Sequence, residues 1–263
     1  MQRTQISGKF LKSLIPPGID SSFSVESAFF TAPSHHTSYA LFAPLHYESG
    51  YAYPLIVWLH APGNDERQLI RIMPDVSMRN YVAVAPRGIC SAATGKAARP
   101  GYDWPQTEEG LQEAEQRVFA AVEAAVAKLH IARHRVFVAG FDCGGTMALR
   151  LALGRPDRFA GVVSLGGAFP RCRPALGNLV EARRLPIFLA VGRDSQEYPA
   201  DEVCENLRLL HSAGMSVTLR QYPCGHELAP QMLADVDRWI IEQITSQSPP
   251  AEDADPRCYR EAE

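Results

Sequence analysis

Residues 136–153, VFVAGFDCGGTMALRLAL, place an aspartate in a turn that normally carries a nucleophilic serine. A β-branched and aromatic run leads into a glycine-bracketed turn, and a helix-forming run follows. Gly140 and Gly144 lie two positions on either side of Asp142, which is the spacing of a nucleophile elbow. Asp142 therefore predicts either a carboxylate nucleophile or a site that has lost its nucleophile.

Two further residues could complete a catalytic set with Asp142. Asp194 lies two positions after Gly192, at the end of an apolar run, and His226 lies in the glycine-flanked loop of RQYPCGHELAP. The chain order nucleophile, acid, histidine is that of α/β-hydrolases. In such a set Asp142 attacks a carbon, His226 activates the water that hydrolyses the resulting ester, and Asp194 orients the imidazole.

The elements that must position these residues form an alternating pattern. The strand-like runs are SYALFAPL, YPLIVWLH, YVAVAP, RVFVAG, AGVVSLGG, LPIFLAVG and SVTLRQYP, and amphipathic helical stretches lie between most of them. Several runs are too uniformly apolar to face water, which is typical of central parallel strands. The pattern predicts an α/β fold, with a mostly parallel central sheet and helices on both faces. We expect one domain at 37–245, between an N-terminal arm (1–36) and a disordered tail (246–263).

These segments together resemble the phospholipase/carboxylesterase and acyl-protein thioesterase branch of the α/β-hydrolase superfamily, and more loosely feruloyl-esterase-like proteins. In that family the elbow reads like GFSQGG, the acid lies in a G-x-x-D-like segment followed by proline, and the histidine lies in Y-P-x-G-H. This sequence keeps GF and GG, GRDSQEYP and YPCGHEL, and changes the two central elbow residues to Asp142 and Cys143. Only the stretch AFPRCRPALGNLVEARRL separates the fifth strand-like run from the start of the next at Pro186, and this stretch is too short for a cap domain.

The resemblance also implies an oxyanion loop at residues 59–63. Relatives carry a pattern like L-H-G-x-G, whereas this sequence reads LHAPG, so Ala61 replaces a glycine and Pro62 falls where the N–H donor should be. Proline has no N–H, and one such donor contributes on the order of 3 kcal/mol to transition-state stabilisation. We expect this function to be lost unless Gly63 takes it over. The N–H of Cys143 remains as the other donor.

A carboxylate at the elbow resembles the nucleophile of haloalkane dehalogenases and epoxide hydrolases, which attack a saturated carbon. Attack of Asp142 on a carboxylic ester is less favourable, because it gives a mixed anhydride. The leaving-group donors of those enzymes are not visible in this sequence. The dehalogenases use a tryptophan after the nucleophile, where this chain has Cys143, and the epoxide hydrolases use two tyrosines of a cap domain, for which this chain has no room. The thiol of Cys143 is an alternative nucleophile, although that frame places bulky Phe141 where the turn needs a small residue.

Three residues are candidates for the substrate pocket. Tyr102 and Trp104 lie in GYDWPQ, which resembles a substrate-side loop of the same family, and His60 lies in the oxyanion loop. Each has a structural alternative, since the two aromatic residues could pack over the sheet edge and His60 could bond local backbone.

Composition narrows the classes of partner. The net charge of -3 and pI near 6.3 provide no basic stripe for nucleic acid or anionic lipid. No segment is long and apolar enough for a membrane span, and no secretory leader is evident, so we expect a cytoplasmic protein with a small-molecule substrate or ligand. The cysteines are scattered without metal-type spacing, so we expect no metal and no cofactor. They are Cys90, Cys143, Cys172, Cys204, Cys224 and Cys258.

The sequence therefore predicts a hydrolase of carboxylesterase-like descent with an Asp142–His226–Asp194 triad, acting on a small ester or another small electrophile. The alternative is a catalytically inactive pseudo-hydrolase that serves as a binding or interaction protein. The sequence leaves the substrate and the oligomeric state open.

Overall fold

The computed structural model describes residues 29–33, 38–91, 101–170 and 179–246. Most of the predicted N-terminal arm and the tail beyond residue 246 lie outside this part of the chain. Cys172 and Cys258 lie outside it as well.

An eight-stranded sheet forms the centre of the molecule, in the order β1-β2-β4-β3-β7-β8-β9-β10. The strands are β1 (Phe29–Pro33), β2 (Ser38–Phe42), β3 (Tyr53–Leu59), β4 (Val82–Pro86), β5 (Ile89–Ser91), β6 (Gly101–Asp103), β7 (Ile131–Phe141), β8 (Gly161–Leu165), β9 (Ile187–Gly192) and β10 (Val217–Tyr222). From β4 to β10 every neighbouring pair is parallel, whereas β1 and β2 run antiparallel at one edge. Strands β5 and β6 pair with each other in a separate small sheet.

Helices cover both faces of this sheet. They are α1 (Gln68–Val76), α2 (Glu108–Val126), α3 (Cys143–Gly154), α4 (Leu179–Ala182), α5 (Ala200–Ser212) and α6 (Pro230–Ser246). In β3 the buried side chains of Leu55, Val57 and Leu59 join the core cluster of α2 and α3, and those of Ile56 and Trp58 join the cluster of α1 and α6. Because β3 is buried on both faces, its sequence is continuously apolar. The predicted α/β-hydrolase fold is confirmed.

The helix that precedes the elbow strand starts at a clear capping signal. Thr107 is the N-cap of α2, and its side-chain oxygen accepts a hydrogen bond from the backbone N–H of Gly110 at 3.1 Å. Glu108 and Glu109 follow in the first turn, where carboxylates interact favourably with the helix dipole. These contacts fix where the chain turns from the β5–β6 sheet into the helical layer.

The segments predicted to carry chemistry all follow the carboxyl ends of parallel strands. Residues 60–64 follow β3, Asp142 follows β7, residues 193–198 follow β9 and His226 lies beyond β10. Since parallel strands end at the same edge of a sheet, these four segments converge there.

Some elements differ from the sequence-based expectation. Strand β1 lies inside the stretch predicted as an arm, so the sheet begins before residue 37. Helix α1 was not predicted, and it contains Pro74. Between β8 and β9 the described residues contain the four-residue helix α4. No helix in the described ranges is long and apolar enough to cross a membrane.

Candidate active site

Asp142 occupies a strained turn between β7 and α3. Its backbone has φ 57° and ψ −124°, a combination that costs a residue with a side chain on the order of 1–3 kcal/mol. The turn is held by close backbone contacts, because a Cβ on Gly140 would collide with the backbone of Gly144, and one on Gly144 would collide with the carbonyl of Leu59. The Asp142 N–H donates to the Leu165 carbonyl at 2.9 Å. The predicted elbow is therefore present, with a carboxylate at its tip.

His226 lies directly beside this carboxylate. Its Nε2 atom is 3.3 Å from Oδ2 of Asp142, a distance within ion-pair range but without the alignment of a hydrogen bond. The side chain of His226 is 12% exposed and that of Asp142 is 35% exposed, so the carboxylate is the more accessible group of the two. The imidazole also packs against the ring of Phe141, with the centroids 5.3 Å apart.

Ser195 lies on the opposite side of the imidazole. Its Oγ is 3.2 Å from Nδ1 of His226, and it accepts a hydrogen bond from the backbone N–H of Tyr198 at 3.2 Å. Glu197 is farther from the ring, with its Oε2 3.9 Å from Nδ1. The described partners of His226 thus form an Asp142–His226–Ser195 row.

The expectation that Asp194 orients His226 is not met. Its backbone N–H donates to the Cys224 carbonyl at 3.0 Å, while its side chain is 62% exposed and pairs with Arg193 at 3.4 Å. The spacing explains the difference, since the fourth position of a G-x-x-D-like segment that starts at Gly192, where the acid belongs, is Ser195. Counting from that glycine would have identified Ser195, which the sequence reasoning missed.

The loop after β3 uses its backbone N–H groups for its own structure. The N–H of Ala61 donates to Oε1 of Gln68 at 3.1 Å, and the N–H of Gly63 donates to the Tyr102 carbonyl at 2.9 Å. Pro62 has no N–H. The expectation that Gly63 could replace the missing oxyanion donor is therefore not met, because its N–H is already bonded. Cys143 is the first residue of α3, where a backbone N–H has no partner within the helix.

Of the three predicted pocket residues, two are buried structural groups. His60 is fully buried, its Nδ1 is 2.8 Å from the Ala61 carbonyl, and its Nε2 accepts from the Gly88 N–H at 3.0 Å. Burial lowers the pKa of His60. The indole N–H of Trp104, also buried, donates to the His60 carbonyl at 3.1 Å. Both side chains stabilise the loop and do not line an open pocket.

Tyr102, the third predicted pocket residue, is accessible. It lines a cavity of about 190 Å³ beside the oxyanion loop, together with Gly63 and Arg71 among other residues. Its hydroxyl accepts a hydrogen bond from Arg87 at 3.3 Å, and the Arg87 guanidinium lies 4.8 Å from the ring centroid. Tyr102 is therefore held rigidly at the edge of this cavity.

The thiol of Cys143 points to a different partner. Its Sγ donates to Oδ1 of Asp103 at 2.8 Å, and the same oxygen accepts a hydrogen bond from the backbone N–H of Trp104 at 2.7 Å. Burial, followed by the hydrogen bond to Asp103, raises the pKa of the Cys143 thiol, which disfavours the thiolate. This environment argues against the cysteine as a nucleophile. No group of three or more His, Cys, Asp or Glu residues in the described ranges is arranged to hold a metal ion.

Comparisons with known proteins agree with this architecture. The model of the phospholipase/carboxylesterase family matches residues 49–244. A probable carboxylesterase of Oryza sativa subsp. japonica is 24% identical over 206 residues, which are 72% of this chain and 77% of the rice protein.

Solved structures are similar in fold at low identity. That of Arabidopsis thaliana SOBER1 has a TM-score of 0.63 at 22% identity, covering 73% of this chain and all of the other. That of Zea mays acyl-protein thioesterase 2 has a TM-score of 0.61 at 18% identity, covering 78% of this chain and 98% of the other. With three quarters of its length matched by the family model, the chain belongs to the phospholipase/carboxylesterase family.

Proposed function

We propose that this protein is a hydrolase of small alkyl electrophiles in which Asp142 is the nucleophile and His226 is the general base. The observation that carries the proposal is the position of the Asp142 carboxylate at the tip of the elbow, with Nε2 of His226 3.3 Å away. Catalytic hydrogen bonds are often long before substrate binds, so this separation suits a base that acts after the first step.

In the first step, an Asp142 carboxylate oxygen attacks a saturated carbon. The new C–O bond forms as the bond between carbon and the leaving group breaks, and the leaving group departs with its electron pair. The product is an alkyl ester of Asp142. This step generates no oxyanion on the substrate, so it does not need the donor that Pro62 fails to provide.

In the second step, His226 removes a proton from water while the water oxygen adds to the carbonyl carbon of the Asp142 ester. The resulting oxyanion lies on the enzyme, beside the N–H of Cys143, which can stabilise it. Collapse expels the alkoxide, which takes the proton from His226, and Asp142 releases a proton as it returns to the carboxylate. The balance is alkyl halide plus water to alcohol, halide and one proton.

Carboxylic esters are disfavoured as substrates for two reasons. Attack of Asp142 on an acyl carbon gives a mixed anhydride, which is no more stable than the ester it came from. The tetrahedral intermediate of that attack would also lack a loop donor, since the N–H groups of Ala61 and Gly63 are bonded to Gln68 and Tyr102.

A second candidate function is an inactive member of the family that binds a ligand or a partner. The bonded N–H groups of the oxyanion loop favour it, because they remove a catalytic feature that relatives carry. Under this hypothesis the carboxylate of Asp142 is an anionic contact for a ligand and forms no covalent bond.

Bromide release from a series of small primary bromoalkanes tests the proposal. We expect catalytic release by the native protein and none by Asp142→Ala. His226→Gln should release at most one equivalent per chain, because the ester forms but is not hydrolysed. If the folded native protein releases no bromide beyond the Asp142→Ala background across the series, the inactive alternative is favoured.

A further inference from the structure

We infer that Ser195 and Asp142 together fix the neutral His226 ring with its proton on Nε2. In this arrangement the Ser195 hydroxyl donates to Nδ1, and the protonated Nε2 lies 3.3 Å from Oδ2 of Asp142, an electrostatic contact without the alignment of a hydrogen bond. An ordinary Ser–His–Asp triad has the proton on the other nitrogen, because its acid accepts a hydrogen bond from Nδ1–H and leaves Nε2 free as the base.

The Asp142 side of the ring favours a donor. An ionised carboxylate can only accept hydrogen bonds, so it favours a protonated nitrogen opposite it. Nε2 of His226 is buried, and within the described residues its charged partner is Asp142 at 3.3 Å. A bare Nε2 would set its lone pair against those of the carboxylate, and this nitrogen is itself buried from water.

The Ser195 side of the ring favours an acceptor. Ser195 is 5% exposed, and the Tyr198 N–H already donates to its Oγ at 3.2 Å. A hydroxyl also carries one proton to donate, and Nδ1 of His226 lies 3.2 Å from this oxygen. Donation from Ser195 to Nδ1 therefore satisfies the hydroxyl and the ring nitrogen together.

The nearby carboxylates do not replace Ser195 in this position. Glu197 has an oxygen 3.9 Å from Nδ1, beyond hydrogen-bond distance, and its side chain is 62% exposed. Asp194 pairs with Arg193 at the surface. Neither group is placed to hold a proton on Nδ1 as a triad acid would.

The consequence for turnover rests on the proposed function. When Asp142 becomes an ester, His226 must present a bare Nε2 to water, so the ring proton has to move to Nδ1. A serine hydroxyl can rotate and accept a hydrogen bond from the Nδ1–H group, whereas a carboxylate there would hold a proton on Nδ1 throughout. Ser195 is thus a positioning residue that serves both protonation patterns of the ring.

Nitrogen-15 NMR of the histidine side chains tests the inference without relying on activity. The His226 signals are identified by their loss in His226→Gln, and spectra are recorded at about pH 9, well above the ordinary pKa of histidine. We expect Nδ1 of His226 to be bare in the native protein and in Asp194→Asn, and protonated in Ser195→Asp.

A proton on Nδ1 in the native protein overturns the inference, and so does a bare Nδ1 in folded Ser195→Asp. The bromide assay is separate from this result. A bare Nδ1 together with an absence of bromide release would leave the protonation pattern standing and would reject the proposed function.

Discussion

The elbow and the oxyanion loop lie next to each other at the site and depart from the family pattern in different ways. The elbow has changed its side chain at Asp142 but keeps the strained backbone of a nucleophile turn. The loop keeps its place after β3, but its N–H groups are bonded within the protein or missing at Pro62. The elbow thus keeps its backbone geometry, whereas residues 61–63 of the loop offer no free backbone N–H.

The oxyanion loop is held in place by polar contacts of buried side chains. Glu66 is fully buried and forms a two-pronged ion pair with Arg87, with contacts of 2.7 and 2.5 Å. Gln68 accepts hydrogen bonds from both the Trp58 indole and the Ala61 N–H. Such fully satisfied networks rigidify a segment, so the loop does not easily free a donor.

The largest predicted effect comes from returning serine and aspartate to the order of an ordinary triad. In Asp142→Ser/Ser195→Asp the new carboxylate accepts the proton of Nδ1 and frees Nε2 as the base. We expect kcat/KM for p-nitrophenyl acetate to exceed that of Asp142→Ser by roughly 10²–10⁴-fold. Adding His226→Ala should abolish the gain. A double variant no better than Asp142→Ser would contradict the placement of Ser195.

Adding one methyl group should destabilise the protein at the elbow but not at the far end of α3. In Gly144→Ala the new Cβ meets the carbonyls of Leu59 and His60, which are backbone atoms and cannot give way easily. We expect a loss of about 3 kcal/mol in the free energy of unfolding, measured with urea. Gly154→Ala is the matched control, because nothing lies within 4 Å of its added Cβ. We expect that helical variant to be unchanged or more stable by up to about 1 kcal/mol. Equal stability of the two variants would refute the tight contact between elbow and loop.

Restoring an N–H to the loop should raise ester hydrolysis only when position 142 carries a serine nucleophile. Pro62→Ala, added to Asp142→Ser/Ser195→Asp, provides one new backbone donor beside the elbow. We expect kcat/KM for p-nitrophenyl acetate to rise by about 10²-fold, the contribution of one oxyanion donor. Pro62→Ala alone, with Asp142 in place, should remain without ester hydrolysis. An equal gain in both backgrounds would show that the loop limits esterase activity independently of Asp142.

The smallest predicted effect concerns His60, which stabilises the loop. His60→Leu leaves the Gly88 N–H without its partner and the Ala61 carbonyl with only the Asn64 N–H, at a cost of about 2 kcal/mol in unfolding free energy. Because burial lowers the pKa of His60 in the folded state, the unfolded chain binds the proton first. The stabilising contribution is therefore present above pH 6.5 and is lost as the pH falls below this value.

The pH dependence of unfolding checks this assignment. Between pH 6.5 and the folded-state pKa, the native protein should lose stability more steeply than His60→Leu. His134→Leu, at an exposed position in β7, is the control and should retain the native slope. Parallel curves for the native protein and His60→Leu would contradict the assignment.

The sequence predicted the fold because its evidence was redundant. Five of the six parallel strands are largely buried and each appears as an apolar run. The elbow glycines add a local signature that side-chain packing does not alter. The sequence does not predict Ser195, because Asp194 is the first carboxylate after Gly192, whereas the turn after β9 directs Asp194 to solvent and the next side chain to His226. The hydrogen bonds from Gly63 to Tyr102 and from Trp104 to His60 could not be predicted. They join the oxyanion loop to residues far along the chain, at the end of the small β5–β6 sheet.

The mass of His226→Gln after exposure to a primary bromoalkane tests the central claim most directly. We predict one added alkyl group per chain, located at Asp142 by peptide mapping and removed by hydroxylamine, as expected for an ester. Alkylation of the exposed Cys90 and Cys204 is distinguished by its resistance to hydroxylamine. The adduct should be absent from Asp142→Ala/His226→Gln. If no hydroxylamine-sensitive group forms on Asp142, the aspartate is not a nucleophile towards these electrophiles and the account is contradicted.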